Sequence, residues 1–322
     1  MVNEKSNCTP TLEELLAWTV PALKKSFLDQ QAGVPKGLLE ALDRDPRLGA
    51  RELARKIRAR RRKHRAEGQR LRKLLQYEHE LWSQGINLIA GVDEAGMAPL
   101  AGPVVAAAVI LPRDYKLQGL NDSKKILDEA KRAQMASQIK TEALCWATGQ
   151  AEVEEVDRLN IYHAGLLAMR RAVLGLSLDP DFILVDARKI PECACPQRGI
   201  IKGDTLSASI AAASIIAKTT RDAQMIELAQ LYPGYGFASH KGYPTPLHYR
   251  ALRELGPLPI HRRSFAPIRK ALGLDPVQQE FFKEEEDKIE AHAPGAASKE
   301  AATDVEDAVL VHSDECLMAS DR

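Results

Sequence analysis

The 322-residue sequence predicts an α/β protein, and three observations carry that expectation. Residues 104–111, Val-Val-Ala-Ala-Ala-Val-Ile-Leu, form a near-continuous apolar run, as in a strand covered by helices on both faces. Strand-like runs alternate with helix-length segments between residues 87 and 274. Two of those runs close on acids, Asp93-Glu94 and Asp186.

Taken in order, residues 1–86 read as a separate helical extension. Thr11 and Glu14 match a capping box ahead of Leu12, Leu15, Leu16 and Trp18. Pro21 should end or bend that helix. A long charged helix is expected from about Arg51 to Trp82, with few apolar residues on any face. Its residues 51–73 hold twelve Lys/Arg against Glu52 and Glu67, so it is either a solvated helix or an arm that lies along phosphates. Residues 87–274 form the compact unit, with strands expected at 88–93, 104–111, 143–150 and 182–186. Helices are expected at 124–140, 153–175, 206–230 and 245–255. Pro99 and Pro103 remove amide donors between the first two strands, which suits a hairpin-like pair carrying a substrate-facing loop. Residues 275–322 hold fourteen acids against four Lys/Arg and are expected to be a disordered acidic tail.

The net charge of +1 hides this segregation, and basic and acidic ends on one chain prompt a search for a nucleic-acid partner. Five cysteines, an odd number, argue against a disulfide framework. Cys193 and Cys195 lack further soft ligands nearby for zinc. With no signal-like start and no apolar run of membrane length, the expected setting is the cytoplasm. A monomer with no membrane partner is expected.

Side chains alternate faces along a strand, so the Asp93-Glu94 pair belongs where the backbone turns and both acids can converge on one cation. Hard cations such as magnesium or manganese take oxygen ligands. Asp186 ends a second apolar strand, and Asp204 precedes a long Ala-rich helix, where it could equally be a cap. If strands 88–93 and 182–186 lie side by side, Asp93, Glu94, Asp186 and Asp204 share a cleft. Two cations about 3.5–4 Å apart could there activate water for phosphodiester cleavage.

The run Gly91-Val92-Asp93-Glu94-Ala95-Gly96, continuing through Pro99-Leu100-Ala101-Gly102-Pro103 and 104–111, resembles the ribonuclease HII family. The likeness extends through Asn121-Asp122-Ser123-Lys124-Lys125, Leu184-Val185-Asp186, Lys202-Gly203-Asp204 and residues 210–222. It closes with Tyr235-Gly236-Phe237, residues 240–245 and residues 261–265, all in the family's order. The basic extension resembles, more loosely, the N-terminal region of some Gram-positive members. The resemblance implies a ribonuclease H-like fold, a five-stranded mixed sheet flanked by helices. It implies hydrolysis of RNA paired with DNA, and of ribonucleotides embedded in duplex DNA, as in ribonucleotide excision. Products would carry 3′-hydroxyl and 5′-phosphate ends. Asp93, Glu94, Asp186 and Asp204 would be the catalytic, metal-binding acids, with Mn²⁺ or Mg²⁺ as cofactor. Tyr243 would contact the sugar at the ribonucleotide junction; otherwise it is a half-buried loop tyrosine. Ser123, Lys124 and Lys125 would hold a phosphate near the cut; otherwise the lysines are solvated surface. Asp222 would support the site from behind rather than bind metal.

One stretch departs from the family. Where it normally carries Gly-Arg-Gly or Gly-Lys-Gly, this chain has Gly96-Met97-Ala98. In the family this loop reads the 2′-hydroxyl through backbone groups while its basic side chain reaches phosphate. Met97 brings no charge, and Ala98 would be strained if that position needed positive φ. The expectation is a working metal site with weakened preference for single-ribonucleotide junctions. A hybrid-binding protein without catalysis is the alternative from another class.

Overall fold

The structure, a computed structural model, describes residues 10–274. The expectation for the acidic tail lies outside the described residues.

Four helices build the N-terminal part: α1 (Leu12–Ala17), α2 (Val20–Lys24), α3 (Leu38–Arg44) and α4 (Leu48–Leu74). Thr11 caps α1 in the expected reciprocal box with Glu14. Pro21 lies in the first turn of α2, so it opens a helix instead of ending one. The basic helix is not uniformly solvated. Ala50, Leu53, Ala54 and Ile57 recur at helical spacing and bury against Leu15, Leu23, Phe27, Leu38 and Leu42, giving this part its own small core. The long helix breaks at Leu75 (φ −91°, ψ 10°), after which α5 (Gln76–Ser83) continues. From Leu71 onward this segment packs into the sheet domain, with Leu71, Leu74 and Leu75 in one core cluster and Leu81 in another.

The sheet has five strands: β1 (Ile89–Ala95), β2 (Val104–Ile110), β3 (Cys145–Ala151), β4 (Phe182–Asp186) and β5 (Gln197–Ile200). Their order is β3-β2-β1-β4-β5. β1 runs antiparallel to β2 and parallel to β4, in a register that pairs Val92 with Val185. That register sets Asp93 and Asp186 side by side at one end of the sheet. Alternate residues of β2 feed two cores. Ala107 and Val109 face α6 (Glu129–Glu142) and α8 (Ala208–Leu231), while Ala106, Ala108 and Ile110 face α7 (Val153–Leu174). α8 lies so close to β1 that a Cβ at Gly91 would fall 2.0 Å from the Ser209 carbonyl carbon. Short helices α9 (Phe237–His240), α10 (Pro246–Leu255) and α11 (Ala266–Ala271) close the domain.

The helix expected at 124–140 starts later. Ser123–Lys125 form a 3-10 turn held by the Asp122 carboxylate, and Asp128 caps α6 by accepting from the Lys131 amide. Strand β5 was not expected, because it is short and its middle residues, Arg198 and Gly199, are exposed. Among the described residues, no helix is long and apolar enough to cross a membrane.

Candidate active site

The parallel β1–β4 pairing brings the predicted acids to one sheet end. Asp93 is 5% exposed and Asp204 is 8% exposed. Burial pushes the Asp93 carboxyl well above its ordinary range, and the charges of Glu94 and Asp186 push it further. The Glu94 amide donates to Asp93 Oδ1 (2.7 Å), and the Ser214 hydroxyl on α8 partly offsets the rise. Glu94 is also raised, first by burial and then by Asp186, against the pull of Arg188. Asp186 Oδ1 accepts from the Gly203 amide at 2.7 Å, which ties β4 to the turn carrying Asp204. Asp204 is not the helix cap. Ser207 caps α8 by accepting from the Ile210 amide, and Asp204 lies before it in the Gly203–Thr205 turn. Its carboxyl is pushed up to about 6 by burial, by the charges of Asp122 and Asp186, and by a hydrogen bond with Asp122.

Two cations face this cluster. Burial alone would lower Lys124, but Asp93, Asp122, Asp204 and Asp186 together raise it. Arg188 Nη2 lies 3.3 Å from Glu94 Oε1, and its guanidinium sits over the Tyr162 ring at 5.2 Å. Among the described residues, no three carboxylates form a ready-made metal cage. The donor set nevertheless suits a hard divalent cation. It is all oxygen, its members repel one another, and Glu94 Oε2 is buried without a partner.

The ribonuclease HII profile matches residues 90–268, and its N-terminal domain profile matches residues 19–82. A ribonuclease HII of Myxococcus xanthus is 65% identical over 280 residues, covering 85% of this chain and 96% of that protein. One from Desulfitobacterium hafniense is 52% identical over 236 residues, covering 73% and 90%. The chain belongs to the ribonuclease HII family. The fold agrees with that of the PCNA:RNase HII complex from Archaeoglobus fulgidus (TM-score 0.50, 24% identity, 60% of this chain and 100% of that one). As a ribonuclease HII, the chain is a metal-dependent endoribonuclease acting on RNA–DNA hybrids.

In this member of the ribonuclease HII family, the loop after β1 turns at Gly96 (φ +95°), where a Cβ would fall 2.2 Å from Arg221 Nε. Ala98 is exposed and is not among the positive-φ residues, so the strain anticipated for it does not arise. The Met97 side chain lies on α7, with Sδ 4.0 Å from Arg188 Nη1. Ser123 Oγ is 2.9 Å from Ser214 Oγ, which fixes the 3-10 turn beside Asp93, while Lys124 and Lys125 remain exposed. Tyr243 is half-buried, and its carbonyl lies 2.9 Å from His248 Nδ1. Asp222 accepts from Lys218 Nζ (2.7 Å) and Arg132 Nη2 (3.4 Å), an ion-paired tie between α8 and α6.

Sequence reasoning missed Asp122, Arg188 and Ser214 as neighbours of the acids. Asp122 and Arg188 stand close in sequence to motif residues, but only folding shows which way they face. The raised carboxyls give the pH dependence its sign. The folded state holds protons that the unfolded chain has already released, so metal-free stability falls as pH rises from about 4 through about 6. Mn²⁺ competes with those protons. Its stabilisation, about 2.7 kcal/mol at a hundredfold excess over Kd, should be full at pH 7.5 and cut to about half or less at pH 5 in paired thermal melts. An equal gain at both values would remove the acids from the metal site.

Proposed function

We propose that Asp93, Glu94, Asp186 and Asp204 hold Mn²⁺ or Mg²⁺ and cut the ribonucleotide strand of hybrids and of duplex DNA containing embedded ribonucleotides. The single observation behind this reading is the parallel register of β1 with β4, which sets Asp93 beside Asp186 at one end of the sheet. Two divalent ions, when bound, would activate a water and neutralise the leaving oxygen, giving 3′-hydroxyl and 5′-phosphate ends. The acids position that chemistry from both strand tips. Lys124, exposed beside them, is placed to meet the phosphate next to the cut, with Ser123 anchoring its turn and Lys125 adding charge. Tyr243 and the Gly96-Met97-Ala98 backbone form the junction contact, and Asp222 holds α8 in place. The presence of all four acids favours catalysis over a merely hybrid-binding protein.

The basic extension extends the substrate contact. Arg51, Arg55, Arg58, Arg61, Arg62 and Arg65 of α4 line a groove of about 770 Å³ whose other wall, on α3, carries Glu40 and Asp43. Arg58 pairs with Asp43, while Arg55, Arg62 and Arg65 make no ion pair among the described residues. Such a row suits a phosphate backbone. The reading keeps three parts: extension, catalytic domain and acidic tail. It places the enzyme in the cytoplasm as a monomer.

The loop composition favours a narrower reading, in which single-ribonucleotide junctions are cut less well than longer hybrid tracts. Met97 offers no charge to a phosphate. The Met97→Arg, Ala98→Gly double mutant should cut a one-ribonucleotide duplex about tenfold faster, with a salt slope steeper by about one. Rates on one-ribonucleotide and all-RNA substrates, with and without Mn²⁺, check both statements. No metal-dependent cleavage of either substrate would end the proposal, and an unchanged junction rate in the double mutant would end the narrower one.

A further inference from the structure

Two arginines are fully buried with no carboxylate partner among the described residues. Arg221 on α8 is 1% exposed, and Arg262, in the segment before α11, is 0% exposed. Neither forms an ion pair; both spend their donors on main-chain carbonyls. Arg262 makes six hydrogen bonds: to Gly96 (2.6 Å), Met97 (3.2 Å), Pro99 (2.8 Å), Gly102 (3.0 and 2.8 Å) and Pro103 (3.3 Å). Arg221 bonds Pro103, Ala101 and Lys241, each at 3.0 Å. Burial holds Arg262 down to about 9, and the neighbouring Arg221 charge lowers it further. Burying a guanidinium without a counter-ion is costly, so carbonyl dipoles must be gathered around it.

We propose that Arg262 and Arg221 are the positioning residues of the junction reader, turning the Gly96–Pro103 carbonyls inward so that the Met97 and Ala98 amides face the substrate. This rests on the reading of that loop given above and names what shapes it. In a trans peptide the C=O and N–H point in opposite directions across one plane. No peptide bond among the described residues is cis. With the Gly96 and Met97 carbonyls drawn toward Arg262, the amides of Met97 and Ala98 therefore point away from it. Neither amide meets an acceptor among the described residues. Pro99, next in line, has no amide to compete with them. Successive outward N–H groups make a concave donor site for a hydroxyl or phosphate oxygen.

Arg221 adds the second half. Its Nη2 holds Ala101 of this loop and its Nη1 holds Lys241, two residues before Tyr243. The Leu100 amide donates to the Gly242 carbonyl at 2.8 Å, and a Cβ on Gly242 would fall 2.7 Å from the Ala101 oxygen. The tyrosine and the amide pair thus stand at a fixed separation set by one guanidinium. Gly96 lacks the Cβ that would block Arg221 from lying beneath the turn.

The test compares Arg262→Lys, Arg262→Gln and Arg221→Lys with the wild-type enzyme on a one-ribonucleotide duplex and on an all-RNA hybrid. Lysine keeps the charge but cannot fork across so many carbonyls. The expected result is a KM for the one-ribonucleotide duplex raised about tenfold by either lysine variant and further by glutamine, with kcat changed far less. Mn²⁺ affinity measured by calorimetry should stay at the wild-type value. Equal losses on both substrates, tracking a fall in Tm, would reduce the arginines to scaffolding and overturn the proposal. So would unchanged KM values. If the wild-type enzyme itself shows no difference between the two substrates, the reading of the loop fails instead. Hydrogen exchange supplies a readout that needs no arginine variant. In Asp93→Asn protein the Met97 and Ala98 amides should exchange fast alone and slow down on adding the one-ribonucleotide duplex. Protection already present without the duplex would overturn the outward orientation.

Discussion

Asp93→Asn should lower kcat on an RNA–DNA hybrid by at least about a thousandfold, because several kcal/mol of charge stabilisation depend on that carboxylate. Asparagine keeps the size and one oxygen but cannot carry the negative charge that holds a cation. Substrate binding should largely survive, since Lys124, Lys125 and the basic groove keep their charges. The same change should raise the Tm of the metal-free protein. Asp93 is buried against Glu94 and Asp186, and neutralising it removes that repulsion. Relief of about 1 kcal/mol would move Tm upward by about 2–4 °C. Lost activity with increased metal-free stability separates a functional acid from a structural one. Full activity in the mutant would mean that the chemistry is elsewhere.

Glu78→Ala should cause the largest loss of stability from a single change in the N-terminal part, about 3 kcal/mol. Glu78 on α5 is 1% exposed, and its Oε1 accepts from Ser207 Oγ (2.6 Å) and from the Ser209 amide (3.0 Å). Burial raises its carboxyl, and these two donors counter the rise. Ser207 is the cap of α8, and Asp204 lies three residues earlier, so the loss should also weaken Mn²⁺ affinity in calorimetry. Truncations separate the roles of the extension. Removing residues 1–65 should leave a folded enzyme with raised KM and a flatter salt dependence. Removing residues 1–86 also takes Glu78, Leu71, Leu74, Leu75 and Leu81 out of the sheet domain's packing, and should leave a protein that melts before assay temperature. Identical behaviour of the two truncations would contradict the packing described.

The meeting of Asp93 with Asp186 was readable because parallel pairing of two acid-tipped strands sets their ends side by side. The sheet's inner strands were readable for a related reason: β2 must be covered on both faces. β5 escaped, since Gln-Arg-Gly-Ile offers one buried residue and no alternation. Asp204 could be read as a cap of α8 from its place before the helix, but the helix begins at Ala208 and Ser207 takes that role. Glu78 looked like one more charge on a charged helix. Its burial depends on Ser207 and Ser209, well over a hundred residues away. Arg221 and Arg262 were hidden similarly, because a cation normally announces itself through an acid, and these two are satisfied by carbonyls alone.

The outer strand β5 carries a further consequence. An open sheet margin invites another polypeptide to add itself and propagate. Here Arg198 leans over the Tyr77 ring at 5.0 Å and reaches Glu80 at 3.4 Å, both on α5. The helix whose Glu78 holds the start of α8 is therefore also tied, through Tyr77 and Glu80, to one of the sheet's two outer strands, so one short segment joins that margin to α8.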